Sequence, residues 1–290
     1  MWKPIADHIA QATGTPFEAE TCRSVSGGCI NRASTISDGK RTYFVKLNQA
    51  NQAEMFAAEA LGLQQMYETQ TIRVPQPICW GTAADTAYIV MEWLDLGRGD
   101  DRAWAAMGRH LAAMHRVTSP QGFGWKRNNT IGSTPQINDW LPNWADFFAE
   151  HRIGYQLKLA QRRGAEFGTR DRILTAVRQQ LCDRTPQPSL LHGDLWSGNA
   201  AITTAGDPVI LDPATYFGDR EADLAMTELF GAFPAAFYRG YNDAFPLDSG
   251  YRQRKNLYNL YHILNHFNLF GGGYSAQAQS TIDRLLITSK

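Results

Sequence analysis

The 290-residue sequence predicts an α+β fold of two unlike lobes. An N-terminal lobe, residues 1–94, is expected to be mainly sheet with one internal helix, and a C-terminal lobe, residues 95–290, to be mainly helical. Three observations predict this. Short apolar runs between turn residues fill most of the first part, and apolar residues at helical spacing dominate the second. Between them lies Asp95–Asp101, a polar stretch with two glycines that reads as a hinge after Met91–Glu92–Trp93–Leu94.

The elements follow in order. Residues 1–12 form an amphipathic helix with Ile5, Ile9 and Ala12 on one side. Cys22–Ser26, Arg32–Ser37 and Thr42–Leu47 read as strands, the last two joined by an Asp38–Gly39 turn. Ala53–Tyr67 is a helix, with Phe56, Ala60, Leu63 and Met66 near helical spacing. Ile78–Gly81 and Tyr88–Trp93 are two further strands. Helices are expected at Ala103–His115, Asn143–Arg163, Asp171–Leu181, Arg220–Tyr241 and Tyr251–Phe270, the last closed by Gly271–Gly273.

Composition excludes several classes. Lys+Arg and Asp+Glu are both 28, so a neutral chain offers no general attraction for nucleic acid. No apolar run reaches the length of a bilayer span, and the first residues lack the apolar core of a signal peptide. The expected location is the cytosol. Cys22, Cys29, Cys79 and Cys182 fit no zinc framework, and most are expected to be small core residues kept as thiols.

The chemistry is written in LLHGDLWSGNAAITTAGDPVILDPATYFGDREADLA. His192–Gly193–Asp194 is followed by Asn199, and the apolar strand Val209–Leu211 delivers Asp212 thirteen residues beyond Asn199. Phosphoryl transfer from ATP needs a base for the acceptor hydroxyl and metal ions that neutralise the phosphates. Asp194 suits the base, and Asn199 and Asp212 offer the hard oxygen ligands that Mg²⁺ requires. On the nucleotide side, Gly27, Gly28 and Asn31 lie in a Gly-Gly turn between two strands, where backbone N–H groups can approach an anion. Lys46, on the strand that follows, matches the phosphate-pairing lysine of kinase-like folds. Glu59 is favoured over Glu54 as its partner, because Phe56, Ala60 and Leu63 put Glu59 beside the inward face. The backbone of Glu92, Trp93 and Leu94 is placed to meet adenine.

Together these residues resemble the fructosamine-kinase family, or ketosamine kinases, in the aminoglycoside-phosphotransferase-like group of the protein-kinase-like fold. The resemblance rests on SGGCINRA, YFVKLN, NNTIGSTPQIN with WADFFAEHRIGYQL after it, LLHGDLWSGNAA, ILDPATYFGDREADLAMTELFGAF and LYNLYHILNHFNLFG. It implies ATP-dependent phosphorylation of O3 of the sugar in ketosamines, small or protein-bound, whose 3-phosphate breaks down and frees the amine. It also implies Asp194 as base, Asn199 and Asp212 as Mg²⁺ ligands, and Lys46 with Glu59 at the ATP phosphates. Trp196 is expected to stack on the sugar, Asp223 to hold the His192 loop, and His192 to serve as scaffold. His262 and His266 are expected near the sugar pocket or in simple packing. Asp219 and Glu221 are candidates to meet the substrate ammonium. Cys29, in the phosphate-cradling turn, is a candidate redox switch that would make the protein a monomer or a redox-linked dimer.

Rival readings are another small-molecule kinase, for an aminoglycoside or choline, and a nucleotide-binding pseudokinase. A protein kinase is disfavoured, since sixteen residues from Asp212 to Glu228 leave no room for a usual activation segment.

Overall fold

The computed structural model describes residues 1–25 and 31–288. The first part holds α1 (Trp2–Thr13), β1 (Thr21–Val25), β2 (Arg32–Ser37), β3 (Thr42–Gln49), α2 (Ala53–Thr69), β4 (Pro77–Ala83) and β5 (Thr86–Glu92). The five strands form one antiparallel sheet in the order β1-β2-β3-β5-β4. Strand alternation explains how both faces are covered. Val45, Leu47, Tyr88 and Val90 pack with Ile5 and Ile9 of α1. Ala87, Ile89 and Met91 turn the other way and join Phe56, Ala60 and Leu63 of α2. Lys46 shares the α2 face and is buried there.

The second part opens with β6 (Leu96–Gly97) and α3 (Asp101–Met114), then a small hairpin, β7 (Asn129–Ile131) and β8 (Thr134–Gln136). A continuous helical stretch follows: α4 (Trp144–Phe147), a π-helical segment Phe148–Gly154 and α5 (Tyr155–Arg162). Next come α6 (Arg170–Gln180), β9 (Ser189–Leu191), β10 (Ala200–Thr203), β11 (Pro208–Ile210), β12 (Tyr216–Gly218), α7 (Glu221–Thr227), α8 (Ala235–Ala244), α9 (Tyr251–Phe270) and α10 (Tyr274–Thr288). Short antiparallel pairings, β6-β10-β11 and β9-β12, carry the loops between them, and the helices form the body. The fold is the bilobal, protein-kinase-like one. A single apolar core runs from the α2 face of the sheet into these helices.

The expected helix Arg220–Tyr241 is two helices. The break holds Gly231, at φ 93°, and Pro234, which has no N–H to give to a continuing helix. The β7–β8 hairpin and α10 are elements that the sequence reading left out. Two expected core cysteines, Cys22 and Cys182, are exposed, because β1 is an edge strand and Cys182 follows the end of α6; Cys79 is buried.

Candidate active site

The loop after β9 is fixed by hydrogen bonds before any ligand arrives. Asp223, buried at the start of α7, accepts the N–H groups of His192 (2.7 Å) and Gly193 (2.8 Å). It also bonds His115 Nε2 at 3.1 Å. Burial works against its ionisation, but His115, His192 and the loop N–H groups outweigh this and lower its pKa. His192 is wholly buried and held neutral by that burial. Its Nε2 bonds the Leu211 carbonyl (2.7 Å) and its Nδ1 accepts the Asp194 N–H (3.2 Å). Its contacts are those of a scaffold. Gly193 has φ +84°, and a Cβ there would lie 2.1 Å from the Ala214 carbonyl oxygen. Only glycine fits that close approach.

Asp194 follows directly. Burial, helped by the negative charges of Asp212 and Asp223, pushes its carboxyl up to about 7, against the opposing hydrogen bond from Asn199. Asn199 ends a short turn and donates its Nδ2 to the Asp194 carbonyl (2.9 Å) and to Asp194 Oδ2 (3.3 Å). That leaves Oδ1 as its free acceptor. The Asn199 backbone carbonyl accepts the Leu211 N–H at 2.9 Å, which brings the Asp212 segment alongside.

Asp212 lies just beyond β11 with φ 55°, the left-handed region that a residue with a Cβ seldom enters. One carboxylate oxygen meets Lys46 Nζ at 2.5 Å, and the side chain is half exposed. The same ammonium meets Glu59 Oε1 at 2.7 Å. Burial opposes the charge on Lys46, but Asp212 and Glu59 overcome it and raise its pKa above the ordinary lysine range. Glu54 pairs instead with Arg127, at the surface. Glu59, and not Glu54, is therefore the carboxylate of α2 that lies against Lys46.

The remaining expected residues divide. Gly27, Gly28 and Cys29 lie outside the described residues. Asn31 Oδ1 accepts from Asn48 Nδ2 at 2.7 Å. Glu92 ends β5, its side chain paired with Arg73 (2.8 Å), which also reaches Asp207 of the β10–β11 turn (3.2 Å). Trp93 bonds Asp95 through Nε1 (2.8 Å), and Leu94 follows in the connection to β6. Trp196 is 37% exposed, so it is not a core tryptophan, and it sits edge-on to Phe230. The His266 ring lies tilted against Phe230, with centroids 4.5 Å apart, whereas His262 is buried, with Nδ1 unpartnered. Asp219 and Glu221 do not face a substrate ammonium. Both are fully buried, tied to Arg184 and, for Glu221, to Arg254, because an unpaired carboxylate could not persist there.

Sequence reasoning missed a neutral network beneath Asp212. Gln136 Nε2 donates to the Ala214 carbonyl (3.0 Å) and to Asn129 Oδ1 (2.8 Å), while Asn129 Nδ2 donates to the Thr215 carbonyl (2.8 Å). Tyr261 OH donates to Gln136 Oε1 (2.7 Å). The hint in the sequence was the amide-rich run NNTIGSTPQIN, which carries no chemistry of its own.

The comparisons with known proteins agree with this geometry. The family model described as fructosamine kinase matches residues 1–288. A probable ketoamine kinase of Synechocystis sp. is 60% identical over 285 residues, covering 98% of this chain and 97% of the relative. A chloroplastic protein-ribulosamine 3-kinase of Arabidopsis thaliana is 47% identical, covering 91% of this chain and 82% of its own. The crystal structure of a putative fructosamine-3-kinase from Haemophilus somnus superposes with TM-score 0.93 at 33% identity, over 98% of this chain and 97% of that one. An aminoglycoside phosphotransferase in ternary complex with ADP and hygromycin B shares the fold alone, with TM-score 0.61, 16% identity and 98% of each chain covered. With a lysine–carboxylate pair facing an aspartate-rich loop, and with relatives that span its length, this chain belongs to the fructosamine kinase family.

Proposed function

We propose that the protein transfers the γ-phosphoryl group of ATP to O3 of the sugar of a ketosamine, giving an unstable 3-phosphate whose breakdown frees the amine. The observation that carries this reading is the convergence of Lys46, Asp194, Asn199 and Asp212 on one site, by the contacts given above. The relatives' names support the acceptor class.

The roles follow from the environments. Asp194, with a carboxyl pushed up to about 7, takes the proton of the acceptor hydroxyl near neutral pH. The Asn199 amide donates to Asp194 and so aims its carboxylate. Lys46 holds its charge and, steered by Glu59, pairs with the ATP phosphates. From the sequence, Gly27, Gly28 and Asn31 are assigned to the phosphates and the backbone of Glu92–Leu94 to adenine. Trp196, an exposed ring two residues past the base, offers a flat face to the sugar's C–H surface.

The donor set suits Mg²⁺. Asn199 keeps Oδ1 free because its Nδ2 is spent on Asp194, and Asp212 keeps one oxygen beyond the one on Lys46. Bound between them, the cation would neutralise charge on the phosphates. We place the reaction in the cytosol, where the cysteines stay as thiols, on ketosamines that are small or protein-borne, with no call on nucleic acid or membrane. Among the described residues no helix is long and apolar enough to cross a membrane.

ADP release with an acceptor panel tests the reading. Turnover with fructosyl-lysine or ribulosyl-lysine, and little with an aminoglycoside or choline, is expected. Turnover confined to an aminoglycoside or choline would contradict it.

A further inference from the structure

We propose that Gln136 and Asn129, braced by Tyr261, are positioning residues that hold Asp212 in its metal-ready conformation. The inference rests on the kinase reading above.

Asp212 adopts a left-handed backbone at φ 55°. A residue with a Cβ stays there only where its surroundings leave no alternative. Two groups of bonds impose it. From the catalytic side, the His192 ring bonds the Leu211 carbonyl at 2.7 Å, and the His192 carbonyl accepts the Ala214 N–H at 2.8 Å. From the hairpin side, Gln136 holds the Ala214 carbonyl at 3.0 Å and Asn129 the Thr215 carbonyl at 2.8 Å. Pro213 has no N–H to offer, so the segment between Asp212 and Thr215 depends on these carbonyls.

The network is buried. Gln136 is 1% exposed and Asn129 8%. Both Nε2 donors of Gln136 are used, and its Oε1 accepts the Tyr261 hydroxyl at 2.7 Å. Asn129 Oδ1 also receives Asn138 Nδ2 at 2.8 Å, and Asn138 Oδ1 receives Arg152 Nη2 at 2.8 Å. That guanidinium is clamped over the Tyr216 ring at 4.0 Å. Buried amides bonded to one another in this way favour one arrangement and rigidify it. From above, α2 closes on the same segment: a Cβ on Gly62 would lie 2.6 Å from Thr215 Oγ1, so any larger residue there would have to displace Thr215. The hairpin thus couples the metal-side aspartate to α9 below and α2 above. Groups that orient a metal ligand from behind typically alter metal affinity by roughly 10- to 100-fold when removed.

The test is Mn²⁺ titration by electron paramagnetic resonance, with and without ADP, on wild type, Gln136→Met and Tyr261→Phe. Circular dichroism and metal-free thermal unfolding check the fold. Gln136→Met keeps the side-chain length but removes both donors. It should weaken Mn²⁺ binding in the presence of ADP by about tenfold or more, leave metal-free ADP affinity near wild type, and raise the Mg²⁺ requirement for turnover more than it lowers kcat at saturating metal. Tyr261→Phe keeps the ring and loses one bond, so a smaller shift in the same direction is expected; it decides the matter if Gln136→Met does not fold. Wild-type Mn²⁺ affinity in a folded Gln136→Met, or in Tyr261→Phe where only that variant folds, overturns the proposal. Failure of wild type itself to bind Mn²⁺ with ADP would instead overturn the kinase reading on which the proposal rests.

Discussion

The candidate site is flanked by two polar clusters built on opposite principles. Above, Lys46, Glu59 and Asp212 form a chain of full charges that joins the sheet, α2 and the loop beyond β11. Below, Gln136, Asn129, Asn138 and Tyr261 form a network in which every member is neutral, anchored at its far end on Arg152. The charged chain includes a half-exposed carboxylate and is set to exchange partners with a charged ligand. The neutral network is buried and bonded within itself, so it has no charge to exchange with a ligand. In the proposed reaction the charged cluster performs the transfer, and the amides behind it keep its geometry.

Substitutions can break or sharpen that contrast. The largest effect is expected at Asp194. Asp194→Asn should lower kcat by about 10²- to 10⁴-fold, the usual contribution of a positioned base, while KM for ATP changes little. A steady-state comparison checks this. Lys46→Met should follow, lowering kcat/KM for ATP by about 10²- to 10³-fold, as loss of a preorganised charge contact does. Glu54→Gln provides the control: its partner Arg127 is a surface pair, so activity and stability should stay near wild type. An equal loss in Glu54→Gln and Glu59→Gln would break the assignment of Glu59 to Lys46.

Trp196→Ala is expected to have a smaller effect, raising KM for the ketosamine by roughly 2- to 12-fold on loss of one aromatic face, with KM for ATP unchanged. Smaller still in activity terms, but informative, is a stability effect. The Asp194 carboxyl sits near 7 in the fold against an ordinary 3.8. The folded state therefore holds more protons than the unfolded one between those values, and stability falls as pH rises through about 7. Without metal at pH 8, Asp194→Asn should be more stable than wild type, by on the order of a few kcal/mol. Below about pH 4 the gain should vanish, since wild type is then protonated in both states. Thermal unfolding in chelator at the two pH values measures it, and an unchanged or lower Tm for the variant at pH 8 would contradict the burial argument.

What could be read from the sequence follows the same divide. Lys46 was legible because it stands among apolar neighbours on the strand after the glycine turn, the place of the phosphate-pairing lysine in kinase-like folds. That Asp194, Asn199 and Asp212 come together was legible because their residue types and spacing suit phosphoryl transfer. The two-lobed architecture followed from the change of period. The hairpin network was not legible. Strands of three residues carry no alternation to detect, and Asn129 and Gln136 in a polar run look like loop. Tyr261 reads as one apolar position on a helix, since nothing in its neighbours shows that its hydroxyl meets an amide from 125 residues away. Asp219 and Glu221 failed for a related reason. A carboxylate in a loop-like stretch suggests solvent, and only the tertiary fold brings Arg184 and Arg254 in to neutralise it. The run through Gly231 and Pro234 carried its own break signal, which the surrounding apolar residues overrode.

The most direct test of the central claim is phosphorus NMR of wild type and Asp194→Asn incubated with Mg-ATP and fructosyl-lysine or ribulosyl-lysine. The account predicts that wild type converts ATP to ADP with a transient sugar 3-phosphate resonance that decays to inorganic phosphate, and that Asp194→Asn nearly abolishes it while still binding nucleotide. ATP bound with no phosphorylated ketosamine from wild type, or equal product from both proteins, would contradict it.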